Sequence, residues 1–463
     1  MNLKKSSTSV AVALALTGVA SVAGAAGFQI NEQGASGLGM SYSGAAAAVW
    51  DASTVWWNPA GMSAIPGRQV VAAGDILFTS HKFSDQGSTL PPGQPPNAPR
   101  GNGGDAGGTF FIPSLFVTWQ LSPEWWAGLG INGPFGLTTK WDDDFVGRFH
   151  AIKSEIATYN INPSFAWKPL QSFSIGGGLD IMYLDGKFTQ YTNYSGAVGG
   201  TVLQRCLAAG RPLTVCQGLA NNAIGSLVSA GQNQGLATAD GNSWALGWNI
   251  GAMLDLTPST RVGLTYRSAV KQKVEGDITF DNRPAALNTA LANSGVKADV
   301  KLPQSFSLAF SQGIGPNWRV LGDYTWTGWS TIQELAFTRV GAPAGALSLP
   351  PTELKFKDSW RAGLGAEWQV NSAWLMRFGV AYDKTPVQDE YRTPRLPDNS
   401  RWWLSIGGRY SWAPNWAVDF GYSYFIVDDA PINLTNDTAS TGNLIGNVKT
   451  TLNLIGAQVR WNF

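Results

Sequence analysis

The sequence predicts an all-β fold: a transmembrane antiparallel barrel of fourteen strands with an N-terminal hatch plugging its lumen. Three observations predict it. From about Arg68 onward, alternating segments of roughly ten residues recur, joined in turn by tight Pro/Asn/Ser turns and by longer polar stretches. Tryptophan opens the strand after several tight turns, at Trp125 and Trp126, Trp318, Trp374 and Trp416. Outside the first 25 residues there is no run of about 18 apolar side chains, so helical spans are excluded while barrel strands are not.

Composition narrows the function classes. The 463 residues carry 55 Gly, 21 Trp, 21 Phe and 12 Tyr at only 14% charge, which argues against a disordered chain. Lys+Arg number 32 against 31 Asp+Glu, so the basic footprint that neutralises phosphates is missing and nucleic acid is not an expected partner. Two His and two Cys, with no C-x-x-C or H-E-x-x-H, are too few for a zinc cluster. No metal or other cofactor is expected.

Taken in order, residues 1–25 read as an export signal. Lys4 and Lys5 supply the positive start, Val10 to Ala23 is apolar or small, and Ala23-Gly24-Ala25 fits an A-x-A cleavage site. The mature chain would carry 30 basic and 31 acidic groups. Cys206 and Cys216 then lie in an oxidising compartment, where a loop disulfide between them is possible but spacing alone does not fix it.

Residues 26–66 are Gly/Ala/Ser-rich without clean alternation, small enough to thread inside a barrel, and form the expected hatch. The barrel follows over 67–463, with strand candidates near 68–79, 112–121, 125–137, 154–168, 173–190, 243–256, 261–280, 300–312, 318–332, 354–369, 374–385, 401–412, 416–427 and 449–463. Alternation is sharpest at the end: Ile455, Ala457, Val459, Trp461 and Phe463 share one face, Gly456, Gln458, Arg460 and Asn462 the other. A soluble sandwich would alternate too, so parity alone does not choose. The repeated tryptophans, suited to an interfacial girdle, and the contrast of short turns with long loops select the outer membrane of a Gram-negative bacterium. Both termini then face the periplasm, and the last strand, ending in Phe463, is the expected signal to the barrel assembly machinery. A fourteen-stranded lumen would leak unless obstructed, which gives the hatch its purpose.

The order and spacing of several short segments resemble the FadL family of outer-membrane transporters for long-chain fatty acids and other hydrophobic compounds. They include Gly27-Phe28-Gln29-Ile30-Asn31-Glu32, Ser36-Gly37-Leu38-Gly39, Tyr42-Ser43-Gly44, Asn58-Pro59-Ala60, Trp248-Asn249, Leu264-Thr265-Tyr266-Arg267-Ser268, Phe356-Lys357-Asp358, and Pro397-Asp398 followed by Arg401. The likeness spans the whole mature chain. It implies a fourteen-stranded barrel with an N-terminal hatch, capture of substrate by extracellular loops, an apolar pocket within the barrel, and sideways exit into the outer-membrane lipid through a kink in the third strand.

That strand contains Gly133-Pro134-Phe135-Gly136. Pro134 has no N–H to give a ladder, so pairing should break there and open the wall; a rim bulge or an early strand end is the plainer alternative. The resemblance matches Gly136 to the family's kink glycine and places hatch residues Asn58, Pro59 and Ala60 beside the gap. Strand parity offers Arg267, Arg361, Arg377, Arg401 and Arg460 as lumen-facing cations. Arg267 and Arg401 lead as carboxylate-binding candidates, with Arg148 and Lys153 near a loop end; most such arginines should instead pair with lumen acids such as Asp255, Asp323 or Asp419. The loop over about 192–242 carries apolar residues at partly helical spacing, either a greasy landing site or helices that cap the barrel.

Other signals carry less. Asp142-Asp143-Asp144 reads as a solvated acidic loop, and Gly34 to Gly39 has the wrong order for a dinucleotide fingerprint. With His81 and His150 the only histidines and no G-x-S-x-G, hydrolysis is not expected. The function expected is passive uptake of long-chain fatty acids. Uptake of monoaromatic or other neutral hydrocarbons by the same route is the first alternative, and a general diffusion porin the second.

Overall fold

The structure is a computed structural model describing residues 26–463. The expected signal peptide, residues 1–25, lies outside the described residues. Fourteen antiparallel strands form the wall: β1 (Arg68–Asp85), β2 (Thr109–Gln120), β3 (Trp125–Asn132, resuming as Gly136–Lys140), β4 (Lys153–Leu170), β5 (Phe173–Asn193), β6 (Gln234–Thr257), β7 (Thr260–Arg267 and Val270–Phe280), β8 (Ser294–Leu302 and Ser305–Ile314), β9 (Trp318–Thr327), β10 (Ser359–Gln369), β11 (Trp374–Asp383), β12 (Arg401–Ala413), β13 (Trp416–Val427 and Ala430–Leu434) and β14 (Leu444–Asn462). Each pairs with its neighbour in the chain, and β14 returns to β1 from Gln69↔Asn462 to Asp85↔Gly446, which closes the cylinder. No described helix is long and apolar enough to cross a membrane; the strands do the crossing.

Alternation sets which face meets lipid. On β14, Ile455 (50% exposed) and Val459 (42%) point outward while Gln458 (2%) points into the lumen. At the short-turn end, facing tryptophans stack across neighbouring strands: Trp125 on Trp167 at 5.7 Å, Trp318 on Trp368 at 5.5 Å and Trp416 on Trp461 at 5.4 Å. A second aromatic belt sits nearer the loops, with Tyr183 beside Trp244 and Tyr382 beside Trp402, each at 5.0 Å. Trp126 departs from the girdle expectation. Adjacent residues of a strand face opposite ways, so Trp126 turns inward, where its indole N–H donates to the Ile65 carbonyl at 2.9 Å.

The strands outrun the membrane. β6 has 24 residues, where about 9–11 suffice to cross the hydrocarbon, so its outer half stands above the lipid. Between β5 and β6 rise two helices, α1 (Tyr194–Ala208) and α2 (Leu213–Ser229), joined by a disulfide between Cys206 and Cys216.

Residues 26–66 fill the lumen, and only Ala64 and Pro66 among them are exposed. Glycines in the wall let this segment approach closely. A Cβ on Gly263 would lie 1.9 Å from the Ala46 carbonyl oxygen, and one on Gly379 would lie 2.2 Å from the Met40 carbonyl carbon. Wall charges then seize hatch backbone: Arg361 bonds the Ser41 carbonyl and Asp323, Gly44 N–H donates to Asp323 at 3.0 Å, and Arg409 bonds the Trp50 carbonyl at 3.1 Å. The lumen acids Asp255, Asp323 and Asp419 are paired with Arg261, Arg361, and Arg377 with Arg409, respectively. Removing one member of a buried pair such as Arg361–Asp323 or Arg377–Asp419 strands the other, at a cost of about 3–5 kcal/mol.

Candidate functional site

The third strand is broken where Pro134 stands. Asn132 pairs with Asn160 and Gly136 pairs with Ala157, so Gly133, Pro134 and Phe135 face only two residues of β4, a one-residue bulge. Thr158 bridges the break with its side chain: Phe135 N–H donates to Thr158 Oγ1 at 2.8 Å, and that hydroxyl donates to the Phe135 carbonyl at 2.7 Å. On the other side, β2 pairs with β3 only over Leu115–Gln120. Among the described residues no ladder joins Thr109–Ser114 of β2 to Gly136–Lys140 of β3, and the wall has a gap there.

The hatch takes the place that β2 vacates. Ile30 N–H donates to the Pro134 carbonyl at 2.8 Å, Gly136 N–H donates to the Phe28 carbonyl at 2.9 Å, and Gln29 bridges Phe135 antiparallel. The Gln33 amide donates to the Gly133 carbonyl at 2.9 Å. Phe28, Phe135 and Trp329 pack in contact beside the break, with ring centroids 4.9–6.3 Å apart. The resemblance led one to expect Asn58, Pro59 and Ala60 beside the gap; the structure seats them elsewhere. Asn58 donates to the carbonyls of Ala46 at 2.7 Å and Ala252 at 3.1 Å, and Ser174 bonds the Ala60 carbonyl. Gly176 and Gly251 leave the room for this seat against β5 and β6. The segment Phe28–Gln33 is what meets the kink.

Above Phe28 lies an apolar cavity of about 120 Å³, lined by Leu137, Ile156, Leu184, Ile332 and Phe356 among others. A larger cavity of about 680 Å³ sits outside it among the loops, with Phe149, Tyr191, Phe280, Leu291 and Leu349 in its wall. Phe188, Ala239, Leu335, Phe337, Thr393 and Arg395 line both, so the two share a wall.

Arg395 is the cation in that shared wall. It is 8% exposed, and its guanidinium bonds Ser154 Oγ at 3.2 Å and the Gln190 amide oxygen, and lies 5.6 Å from the Phe188 ring. These partners are neutral, and burial alone pulls the guanidinium down to about 10. The other charged lining groups of the inner cavity, Asp240, Asp299, Lys301 and Glu334, are exposed.

The four cations named from sequence stand elsewhere. Arg267 is paired with Asp180 and lies 3.5 Å over the Trp56 ring, in the wall of a separate cavity of about 80 Å³ that it shares with Asn31, Asp323 and Arg361. Arg401 pairs with Asp398. Arg148 is fully buried on the Pro99 and Phe145 carbonyls, and Lys153 pairs with Glu155. None of the four lines the apolar cavity. Reasoning from strand parity passed over Arg395 because it sits on a loop, folded inward between β11 and β12. The available signal was the proline bracket Thr393-Pro394-Arg395-Leu396-Pro397, which stiffens a loop enough to hold a side chain. That loop is tied to the broken strand, since Thr139 and Trp141 bond the Arg395 and Pro394 carbonyls at 3.0 Å.

In the hatch, Glu32 is wholly buried, and desolvation pushes its acid up to about 7 against the opposing pull of nearby backbone N–H groups and Arg401. An acid raised on folding stabilises the folded state fully below its ordinary value of 4.5, and that stability is lost as pH rises to about 7. Hatch seating should therefore weaken by roughly 3 kcal/mol across that window. Thermal unfolding followed by hatch tryptophan fluorescence should show a higher midpoint at pH 5 than at pH 8. The Glu32→Gln variant should narrow that difference.

A closed fourteen-stranded barrel, plugged from its N-terminus and holding an apolar cavity beside a break in its wall, has the architecture of an outer-membrane transport protein. Residues 16–463 match the family model described as outer membrane protein transport protein (OMPP1/FadL/TodX), and the chain belongs to that family. It is 30% identical over 435 residues to the long-chain fatty acid transport protein of Escherichia coli O6:H1, covering 92% of each chain. Its fold is similar to that of a Pseudomonas aeruginosa FadL homologue (TM-score 0.80, 22% identity, 95% of this chain and 100% of that one). It is also similar to that of the Ralstonia pickettii toluene transporter TbuX (TM-score 0.63, 18% identity, 93% and 98%). It is a transport protein of the outer membrane and not an enzyme.

Proposed function

We propose that this protein takes up long-chain fatty acids passively: the outer loop cavity captures them, the inner cavity binds them, and they leave sideways through the gap between β2 and β3. Arg395 is the observation that carries the choice of substrate. A buried guanidinium with only neutral partners, at the wall of an apolar sleeve, suits a carboxylate on a long tail and serves no purpose for a neutral hydrocarbon. The relative from Escherichia coli, named for long-chain fatty acid transport, supports the same choice. The bulge at Pro134 and the interrupted β2–β3 ladder support lateral exit.

On this reading the hatch is the gate. Phe28, Phe135 and Trp329 bar the way from the inner cavity to the gap, and among the described residues three backbone-directed hydrogen bonds hold the hatch to the kink. A tail that displaces Phe28 would clear the path into the outer-membrane lipid.

Uptake of labelled oleate by cells that lack their own transporter and express this chain tests the reading. Saturable oleate uptake with no gain in permeability to small sugars is expected. Sugar uptake without oleate uptake would mean a diffusion porin, and uptake of toluene but not oleate would favour the hydrocarbon alternative.

A further inference from the structure

The wall is broken a second time, between β6 and β7. Asn249 pairs with Arg267 and Asn242 pairs with Glu275, so six residues of β6 face seven of β7, the same single-residue excess that marks the break at Pro134. Among the described residues no ladder joins 243–248 to 268–274. A side chain again stands in for the ladder: Trp248 N–H donates to Ser268 Oγ at 2.9 Å, and Ser268 N–H donates to the Trp248 carbonyl at 2.9 Å. On its other side β7 also leaves β8 at residues 268–269, opposite Pro303, which has no N–H to give.

This break faces the outer part of the bilayer. On β6 it runs past Trp244 (64% exposed), which belongs to the outer aromatic belt, Leu246 (71%) and Trp248 (48%). Backbone that leaves its ladder at membrane depth is tolerated where it lines a cavity or is buried in protein. Behind the break lies the inner cavity. Gly241 and Val274, at the loop end of the break, line that cavity, and Ala245 and Val270 pack in the apolar cluster that holds Phe28, Leu184 and Phe356. Val270 closes the passage. A Cβ on Gly247 would lie 2.7 Å from Val270 Cγ2, so the valine fills the notch that the glycine leaves.

The lining selects the ligand. Ser243, Ala245, Gly247, Ser268, Val270 and Gln272 alternate inward and carry no charge, while Lys271 and Lys273 are exposed on the outer face. Gln272 is wholly buried; its amide oxygen accepts from Ser243 Oγ at 2.7 Å, and its amide nitrogen has no partner. A buried donor left unpaired calls for an acceptor.

We propose that the β6–β7 break is a second doorway, through which neutral single-chain lipids carrying one oxygen acceptor, such as long-chain alcohols, enter the inner cavity from the outer leaflet. The entering chain displaces Val270, and Gln272 donates to its oxygen. The proposal rests on the inner cavity being a substrate site, as read above. It adds a path for compounds already dissolved in lipid, which bypass the loops and make no use of Arg395.

The test uses the full-length protein in nanodiscs, with photoactivatable hexadecanol supplied in the lipid and photoactivatable oleate in the water. Crosslinks to the peptides containing Leu184 and Phe356 report arrival in the inner cavity. Each variant is first shown to keep the heat-shifted gel mobility of a folded barrel. In Gly247→Cys/Val270→Cys the two side chains are within reach of a disulfide. Oxidation should cut hexadecanol labelling at least fivefold and reduction should restore it, with oleate labelling constant and the unaltered protein indifferent to both treatments. Val270→Ala should raise hexadecanol labelling about threefold, and Gln272→Leu should remove the preference for hexadecanol over hexadecane. Undiminished hexadecanol labelling with the bridge fully formed, or unchanged labelling in Val270→Ala, would overturn the proposal. Loss of hexadecanol labelling when Gln29→Cys/Phe135→Cys is bridged instead would also overturn it, by assigning entry to the break in β3. Absence of oleate from the inner cavity of the unaltered protein would sink the uptake reading on which the proposal rests.

Discussion

Replacing Arg395 with methionine should weaken oleate binding ten- to a hundredfold and leave neutral hydrocarbons of similar size bound as before. Methionine keeps the unbranched apolar stem that packs in the wall; what goes is the guanidinium with its charge and its donors. A hydrogen bond to a charged group contributes about 1.5–3 kcal/mol, and a carboxylate brought into an apolar cavity without its cation also forfeits water it cannot replace. Ser154 and Gln190, left behind, are neutral and cost little. Titration of oleate and of dodecane into the purified protein, read by intrinsic tryptophan fluorescence, separates the two terms. Equal loss for both ligands would mean that Arg395 only shapes the cavity. By the same logic Arg267→Gln should destabilise the barrel through its stranded partner Asp180 yet leave the ratio of oleate to dodecane affinity unchanged.

Restoring the β2–β3 ladder should abolish uptake while leaving the barrel assembled. Three residues of β3 face two of β4, so deleting Gly133 and replacing Pro134 with threonine removes the extra residue and supplies the missing N–H. The strand can then run straight from Asn132 to Leu137 and pair with Thr109–Ser114. At least a tenfold fall in oleate uptake is expected, with surface abundance and heat-shifted mobility preserved. Retained uptake in a variant whose strand is continuous would exclude the side exit.

The fold was legible from sequence because a barrel's wall is written locally. Period-two alternation, Pro/Asn/Ser turns and tryptophan placement each act over ten residues or fewer, and they located all fourteen strands. The interruption of pairing at Pro134 was legible for a similar reason, since proline cannot donate wherever it sits. What failed depended on three-dimensional placement. Asn58-Pro59-Ala60 lies against β5 and β6 because Gly176 and Gly251 leave space there, and nothing near residue 58 in the chain encodes that. Arg395 was passed over because a loop folded into the lumen obeys no strand parity. Trp126 was assigned to the girdle beside Trp125, although alternation already sends one of any such pair inward.

The most direct test of lateral exit pins the hatch to the broken strand. Gln29 and Phe135 face each other across an antiparallel bridge, a spacing that a disulfide accepts. In the variant Gln29→Cys/Phe135→Cys, oleate uptake should stop under oxidising conditions, return on reduction, and leave oleate binding from the outer loops intact. Undiminished uptake with the crosslink fully formed would show that substrate leaves the barrel by some other way.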